Sequence, residues 1–193
     1  MIALALLLGA LLGSVPFGLL LTRAAGLGDI RKTGSGSIGA TNVLRTGRKD
    51  IAAATLLLDA GKGALAVLIM AAYAGQDAAL VAGVAAVLGH CFSPWIGFKG
   101  GKGIATGAGV LLVWSWPAGL LCLAAWLAAA FASKRSSVGA LVALATAPLL
   151  LWAFADGRTA LAGVLVSAVC VGRHRANIAR LIAGTEPRIG HKA

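Results

Sequence analysis

No charged side chain occurs from Ile2 to Thr22, and this apolar run constrains the chain more than any other feature. A helix needs about 20 mostly apolar residues to cross about 30 Å of hydrocarbon. Inside lipid, backbone N–H and C=O groups must be paired within the protein, and a run of this length does so as a helix. Further runs at 51–73, 78–96, 137–155 and 159–173 predict more spans. Composition agrees: 59% of residues are apolar and 12% charged, against about 45–50% and about 25% in soluble domains. The 27 glycines suit helix backbones that approach closely where packing replaces the hydrophobic effect. The first run lacks a basic leader and a clear cleavage site, so it reads as a retained span rather than a signal peptide.

Residues 104–132 are long for one span and short for two, since a helix over them reaches about 44 Å. Pro117, in Trp114-Ser115-Trp116-Pro117, suits the first turn of a new helix, so two short spans are expected to begin near Gly101 and Pro117. Charge placement supports the division. With it, every Lys and Arg except Lys62 and Arg158 falls on one side of the membrane. The expected architecture is therefore all-α and integral to the membrane. It has seven transmembrane helices, some short or broken, the N-terminus outside and the C-terminus cytoplasmic. The polar tail, 174–193, opens with a short interfacial helix in this reading. No internal repeat divides the chain, and residues 1–193 are read as one domain.

The net charge of +11 lies between apolar spans, so it does not indicate a nucleic-acid partner. Cys91, Cys122 and Cys170 lie in or beside apolar stretches without metal-ligand spacing and read as small hydrophobes. No metal or organic cofactor is expected.

Three segments carry chemistry. The first runs from Thr33 through Gly34, Ser35, Gly36, Ser37, Gly39, Thr41 and Asn42 to Arg45. Glycines let a backbone aim its N–H groups at an anion, and Arg45 adds a cationic fork. A flexible membrane loop would share this composition. The second is Lys99-Gly100-Gly101-Lys102-Gly103, leading into a helix N-terminus where donors and an ammonium converge on phosphate. It is not the nucleotide P-loop, because Gly103 stands where Ser or Thr is required. The third is Arg173-His174-Arg175-Ala176-Asn177, followed by Glu186, which either orients a basic group or is solvated. His174 and Asn177 share a helix face at a separation of three. Asp59 and Lys62, also three apart, read as an ion pair inside the second span, and His90 as a structural histidine.

Together these motifs make the chain resemble the bacterial acyl-phosphate:glycerol-3-phosphate acyltransferases (the PlsY type). The likeness runs from residue 33 to 186 and includes Gly34 to Arg45, Gly89-His90, Gly97 to Thr106, Ser137-x-Gly139, His174 to Leu181 and Gly184 to Glu186. Ser37 stands where the family usually has Asn, and Cys91-Phe92-Ser93-Pro94 is looser than its usual pattern. The resemblance implies transfer of a fatty acyl group from acyl phosphate to the 1-hydroxyl of glycerol 3-phosphate, giving lysophosphatidate in the bacterial plasma membrane. It is unlike acyltransferases with a His-x4-Asp motif, which this chain lacks.

On that reading His174, Lys102, Asn177 and Ser35 are the expected catalytic residues. Substrate-binding residues are Gly34, Gly36, Ser37, Gly39, Thr41, Asn42, Arg45, Gly100, Gly101, Gly103, Ser137 and Glu186. The loop at 34–42 and the turn at 100–103 are expected to hold the acyl-phosphate head. Arg45, Lys102, Ser137, His174 and Asn177 would hold glycerol 3-phosphate. The competing reading is a transporter or channel for a phosphorylated solute, using the same basic loops as a vestibule.

Overall fold

A computed structural model describes residues 1–189, and among them every regular element is helical. Helices α1 (Ile2–Ser14) and α2 (Phe17–Ala24) are followed by a long loop that carries the single turn α3 (Ala40–Val43). Then come α4 (Lys49–Cys91), α5 (Ile104–Trp114), α6 (Trp116–Ser133), α7 (Ser136–Phe154), α8 (Gly157–Arg173) and α9 (Arg175–Ile182). Four segments are long and apolar enough to cross a membrane: Ile2–Ala24, Lys49–Ile96, Trp116–Ser133 and Ser136–Phe154.

The structure corrects the first span. The helix does not run unbroken over 2–22 but stops at Val15–Pro16 and restarts at Phe17. Hydropathy does not register this break. Proline has no N–H for the helical ladder and forces the residue before it out of the helical region, and Val15 is extended at φ −60°, ψ 117°. The second and third predicted spans are two limbs of α4, divided at Gly75, whose φ of 77° suits glycine. Ala66 and Met70 of one limb share a core cluster with Ala78, Ala82 and Ala86 of the other and with Ala5 of α1. The second limb ends at Cys91, short of the expected 96, and a 3-10 turn at Pro94–Ile96 follows. Residues 104–132 divide as expected. Ser115 is extended between α5 and α6, and Pro117 lies in the first turn of α6.

Close approach holds the bundle. A Cβ at Gly13 would overlap the backbone of Ala86, so only glycine permits α1 to lie so near α4. Ser167 Oγ donates to the Leu144 carbonyl at 2.9 Å, joining α8 to α7. At one end, Arg158 donates to Asp77 at 2.9 Å and Gln76 to Asp156 at 2.6 Å, linking the Gly75 bend to the start of α8. At the other end the 25–48 loop meets the start of α7, where Thr41 and Ser136 hydroxyls lie 3.3 Å apart. The 100–103 turn meets the end of α8 there. The three basic segments are therefore gathered at one end.

Candidate functional site

The loop before Arg45 is organised by one side chain. Asn42, almost fully buried, donates to the carbonyls of Ile30, Thr33 and Ser37 at 3.1, 3.0 and 2.8 Å. Its Oδ1 accepts from the Ser35 N–H at 3.0 Å. Its donors are fully used, which makes Asn42 the scaffold of the loop rather than a ligand-facing group. Gly34, at φ +55°, lets Arg45 cross the loop, since a Cβ there would stand 2.9 Å from Arg45 Cδ. The amides of Gly36 and Gly39 are also used internally, on the Thr33 carbonyl and Ser37 Oγ. The side chains of Ser35 and Thr41 are exposed and that of Arg45 is partly exposed.

The second motif likewise differs from the expected backbone cradle. The Gly100 and Gly101 N–H groups turn inward to the carbonyls of Cys91 and His90 at 3.2 and 3.0 Å. Their own carbonyls accept from Arg173 at 2.9 and 3.1 Å. The turn is thus held on both sides, and the charged donor it carries is Lys102. Gly103, at φ +83°, caps α5 and packs on Cys170 and Cys91.

Burial pushes the Lys102 ammonium down to about 8, and Arg180, Arg45 and Arg173 push in the same direction while Glu186 opposes them. This set of influences places Lys102 among the cations of all three motifs. A neighbouring negative charge favours the charged form of such an ammonium.

His174 is buried at the junction of α8 and α9, with Nδ1 2.7 Å from the Cys170 carbonyl. A carbonyl only accepts, so Nδ1 carries the proton and neutral Nε2 carries a lone pair. Burial lowers the imidazole pKa most, the Cys170 hydrogen bond opposes that, Lys102 lowers it further and Glu186 raises it. Asn177 Nδ2 donates to Glu186 Oε1 at 2.6 Å, and Arg180 donates to Oε2 at 2.7 Å. Desolvation raises the Glu186 pKa, but contacts with Asn177, Ser137 and Arg180 together leave it below the ordinary value. Glu186 therefore orients a basic group, the first of its two sequence readings. Asn177 Oδ1 is buried without a hydrogen-bond partner among the described residues, and Ser137 Oγ, close to the Glu186 carboxylate, is buried beside it without a well-aligned hydrogen bond. Such orphaned acceptors and hydroxyls mark a place for a polar ligand.

This chain matches the family described as "Glycerol-3-phosphate acyltransferase" over residues 3–184. The chain belongs to the glycerol-3-phosphate acyltransferase family. A relative of that name from Paramagnetospirillum magneticum is 58% identical over 184 residues, covering 95% of this chain and 92% of its own. Another, from Agrobacterium fabrum, is 57% identical, covering all of this chain and 94% of its own. The crystal structure of PlsY (YgiH), an integral membrane glycerol 3-phosphate acyltransferase in its glycerol 3-phosphate form, superposes with a TM-score of 0.92. It is 33% identical, with 98% of this chain and 96% of that one covered. Its lysophosphatidic acid form superposes at 0.90 and 32% identity.

Within this family's fold, sequence reasoning did not assign the site roles of Arg173 and Arg180. Arg173 clamps the turn before Lys102, and Arg180 pairs with Glu186. Both lie inside the basic segment; the Arg173 contacts span about 70 residues, beyond any local pattern, whereas the Arg180–Glu186 pair spans only six.

Proposed function

We propose that this chain is a multi-pass membrane enzyme that transfers a fatty acyl group from acyl phosphate to the 1-hydroxyl of glycerol 3-phosphate. The observation that carries the reading is the convergence of Arg45, Lys102, Arg173 and Arg180 on buried His174, Asn177 and Ser137 at one end of an apolar bundle. Arg45 and Lys102 hold the glycerol 3-phosphate phosphate, and Asn177 Oδ1 and Ser137 Oγ meet its hydroxyls. Ser35, Thr41 and the free amides opening α5 meet the acyl-phosphate head, whose chain lies against the apolar flank.

The 1-hydroxyl oxygen attacks the acyl carbonyl carbon. The new C–O ester bond forms, the bond from carbonyl carbon to phosphate oxygen breaks, and phosphate leaves with the electron pair. His174 Nε2 accepts a hydrogen bond from the hydroxyl and aligns it. The proton passes to a phosphate oxygen of the substrate, because the cations around His174 disfavour its charged form. Acyl phosphate is already activated, so positioning and charge stabilisation supply most of the rate. No covalent acyl-enzyme, metal or organic cofactor enters this scheme.

The proposed topology has seven spans, counting the two limbs of α4 separately and α5, at about 16 Å, as the short one. Clustered cations at the site end and the Asp77–Arg158 pair at the other support a cytoplasmic site and an outside N-terminus in the bacterial plasma membrane. The amphipathic α9 is proposed to lie at the interface. Purified protein in detergent or nanodiscs, given palmitoyl phosphate and glycerol 3-phosphate with no other enzyme, tests the activity. Lysophosphatidate and phosphate should appear in equal amounts. Movement of glycerol 3-phosphate into proteoliposomes without acylation would instead favour the transporter reading.

A further inference from the structure

Beneath the site, inside the bundle, lies a charged cluster that the proposed reaction leaves unused. Lys62 Nζ sits 2.7 Å from the Val15 carbonyl, 2.7 Å from Asp59 Oδ1 and 3.0 Å from His90 Nδ1. The Asp59 contact is an ion pair. All three side chains are at most 5% exposed. Asp59 Oδ1 also lies 3.6 Å from His90 Nδ1. An ammonium has three hydrogens and no lone pair, so it can only donate. Lys62 therefore donates to His90 Nδ1, which leaves the His90 proton on Nε2. The break in the first span serves this cluster, since the Val15 carbonyl beside Pro16, which also accepts the Phe17 N–H at 3.1 Å, accepts from Lys62.

The far side of the His90 ring touches the site. A Cβ on Gly101 would overlap His90 Nε2, so the imidazole lies directly under Gly101, the residue before Lys102. The His90 carbonyl accepts the Gly101 N–H at 3.0 Å. One residue thus supports the turn with both its backbone and its ring. Arg173 holds the turn from the other side.

We propose that Asp59, Lys62 and His90 are positioning residues for the glycerol 3-phosphate site, acting through Gly101 on Lys102. Lys62 locks the imidazole in one orientation, the imidazole sets the height of the turn, and the turn aims the Lys102 ammonium at the substrate phosphate. Charges at this depth are costly unless they do such work. The inference rests on the proposed reaction for its assay, but it concerns only how Lys102 is held.

The test is a kinetic double-mutant cycle on purified His90→Asn, Lys102→Ala and the double variant. Asparagine keeps an acceptor near the Nδ1 position for Lys62 and removes the ring under Gly101. His90→Asn alone should raise KM for glycerol 3-phosphate about tenfold with kcat changed less than about threefold. Added to Lys102→Ala, it should cost less than about a further twofold, because the residue it acts through is gone. Gly101→Ala should also raise KM, and His90→Asn should recover part of that loss by making room. Equal and additive losses in both backgrounds, or wild-type KM in His90→Asn, overturn the proposal. Should His90→Asn not fold, Lys62→Met in the same cycle carries the same criterion, and additive losses there overturn it too. Absence of turnover in the wild type would instead count against the proposed reaction.

Discussion

Asn177 Nδ2 lies 2.6 Å from Glu186 Oε1, which fixes the orientation of the Asn177 amide and turns its Oδ1 away from the glutamate. Glu186 is the chain's one glutamate. Its second oxygen pairs with Arg180 at 2.7 Å, and its backbone carbonyl accepts from Arg135 at 3.1 Å. It joins α9, the tail and the α6–α7 turn around the proposed glycerol 3-phosphate site.

Glu186→Ala is expected to lower both activity and stability. Losing two strong hydrogen bonds should cost about 2–3 kcal/mol, and kcat/KM should fall at least about tenfold as Asn177 turns. The carboxylate also sets an acid dependence. Its pKa is lower folded than unfolded, so its contribution is present above the ordinary value of 4.5 and is lost as pH falls through the folded value. Thermal melting from pH 7 to 3 should show a steeper loss for wild type than for Glu186→Gln. Parallel curves would remove Glu186 from this role.

Burial pushes the Lys102 ammonium down to about 8. Its charged form is the partner of substrate phosphate, so kcat/KM for glycerol 3-phosphate should fall about tenfold per pH unit above that value. Lys102→Arg stays charged to above about pH 12. It should be slower at pH 7 but lack this alkaline limb. Stability moves oppositely. The unfolded chain binds this proton more tightly between about 8 and 10.5, so the Lys102 contribution makes the fold more stable as pH rises through that window. Lys102→Ala should lose about 30- to 100-fold in kcat/KM, the value of one charge-assisted hydrogen bond. A pH profile of kcat/KM unchanged by Lys102→Arg would sink the assignment.

The legibility of this site in the sequence was uneven, for physical reasons. The gathering of the basic segments followed from charge placement, because the bilayer sorts Lys and Arg over the whole chain. The Ser115 break was legible because proline marks it locally. The break at Pro16 was missed although proline marks it too, since an uninterrupted apolar run outweighed the missing N–H. The inward amides of Gly100 and Gly101, and the saturation of Asn42, were not legible. Composition says that a loop offers donors, but not which way they point. That direction is set by partners such as the His90 carbonyl and Ile30, which meet the loop only in three dimensions.

Asn42 should therefore behave as a structural residue, unlike Arg45 three positions later. Asn42→Ala removes the two N–H donors that three buried or half-buried carbonyls share and one acceptor of the Ser35 amide. The expected cost is about 2–4 kcal/mol, seen as a lower melting temperature and faster proteolysis within 30–45. Arg45→Ala should leave melting nearly unchanged while raising KM for glycerol 3-phosphate at least about tenfold, because Arg45 makes no hydrogen bond among the described residues. A melting loss in Arg45→Ala equal to that of Asn42→Ala, with KM unaltered, would reverse the two roles.

His174 distinguishes an obligatory base from an aligning group. Its Nδ1–H is held by the Cys170 carbonyl, and burial lowers its pKa, which favours the neutral imidazole with a lone pair on Nε2, the atom that meets the hydroxyl in the proposed reaction. If the substrate phosphate takes the proton, His174→Ala should keep measurable acyl transfer at saturating substrate, reduced by about 10²–10³ through lost alignment. His174→Gln should recover part of the rate if its amide oxygen takes the place of Nε2 as acceptor. The acidic limb of kcat should persist in both variants, because it belongs to the phosphate. A variant with no turnover above the uncatalysed rate, combined with loss of that limb, would make His174 the base.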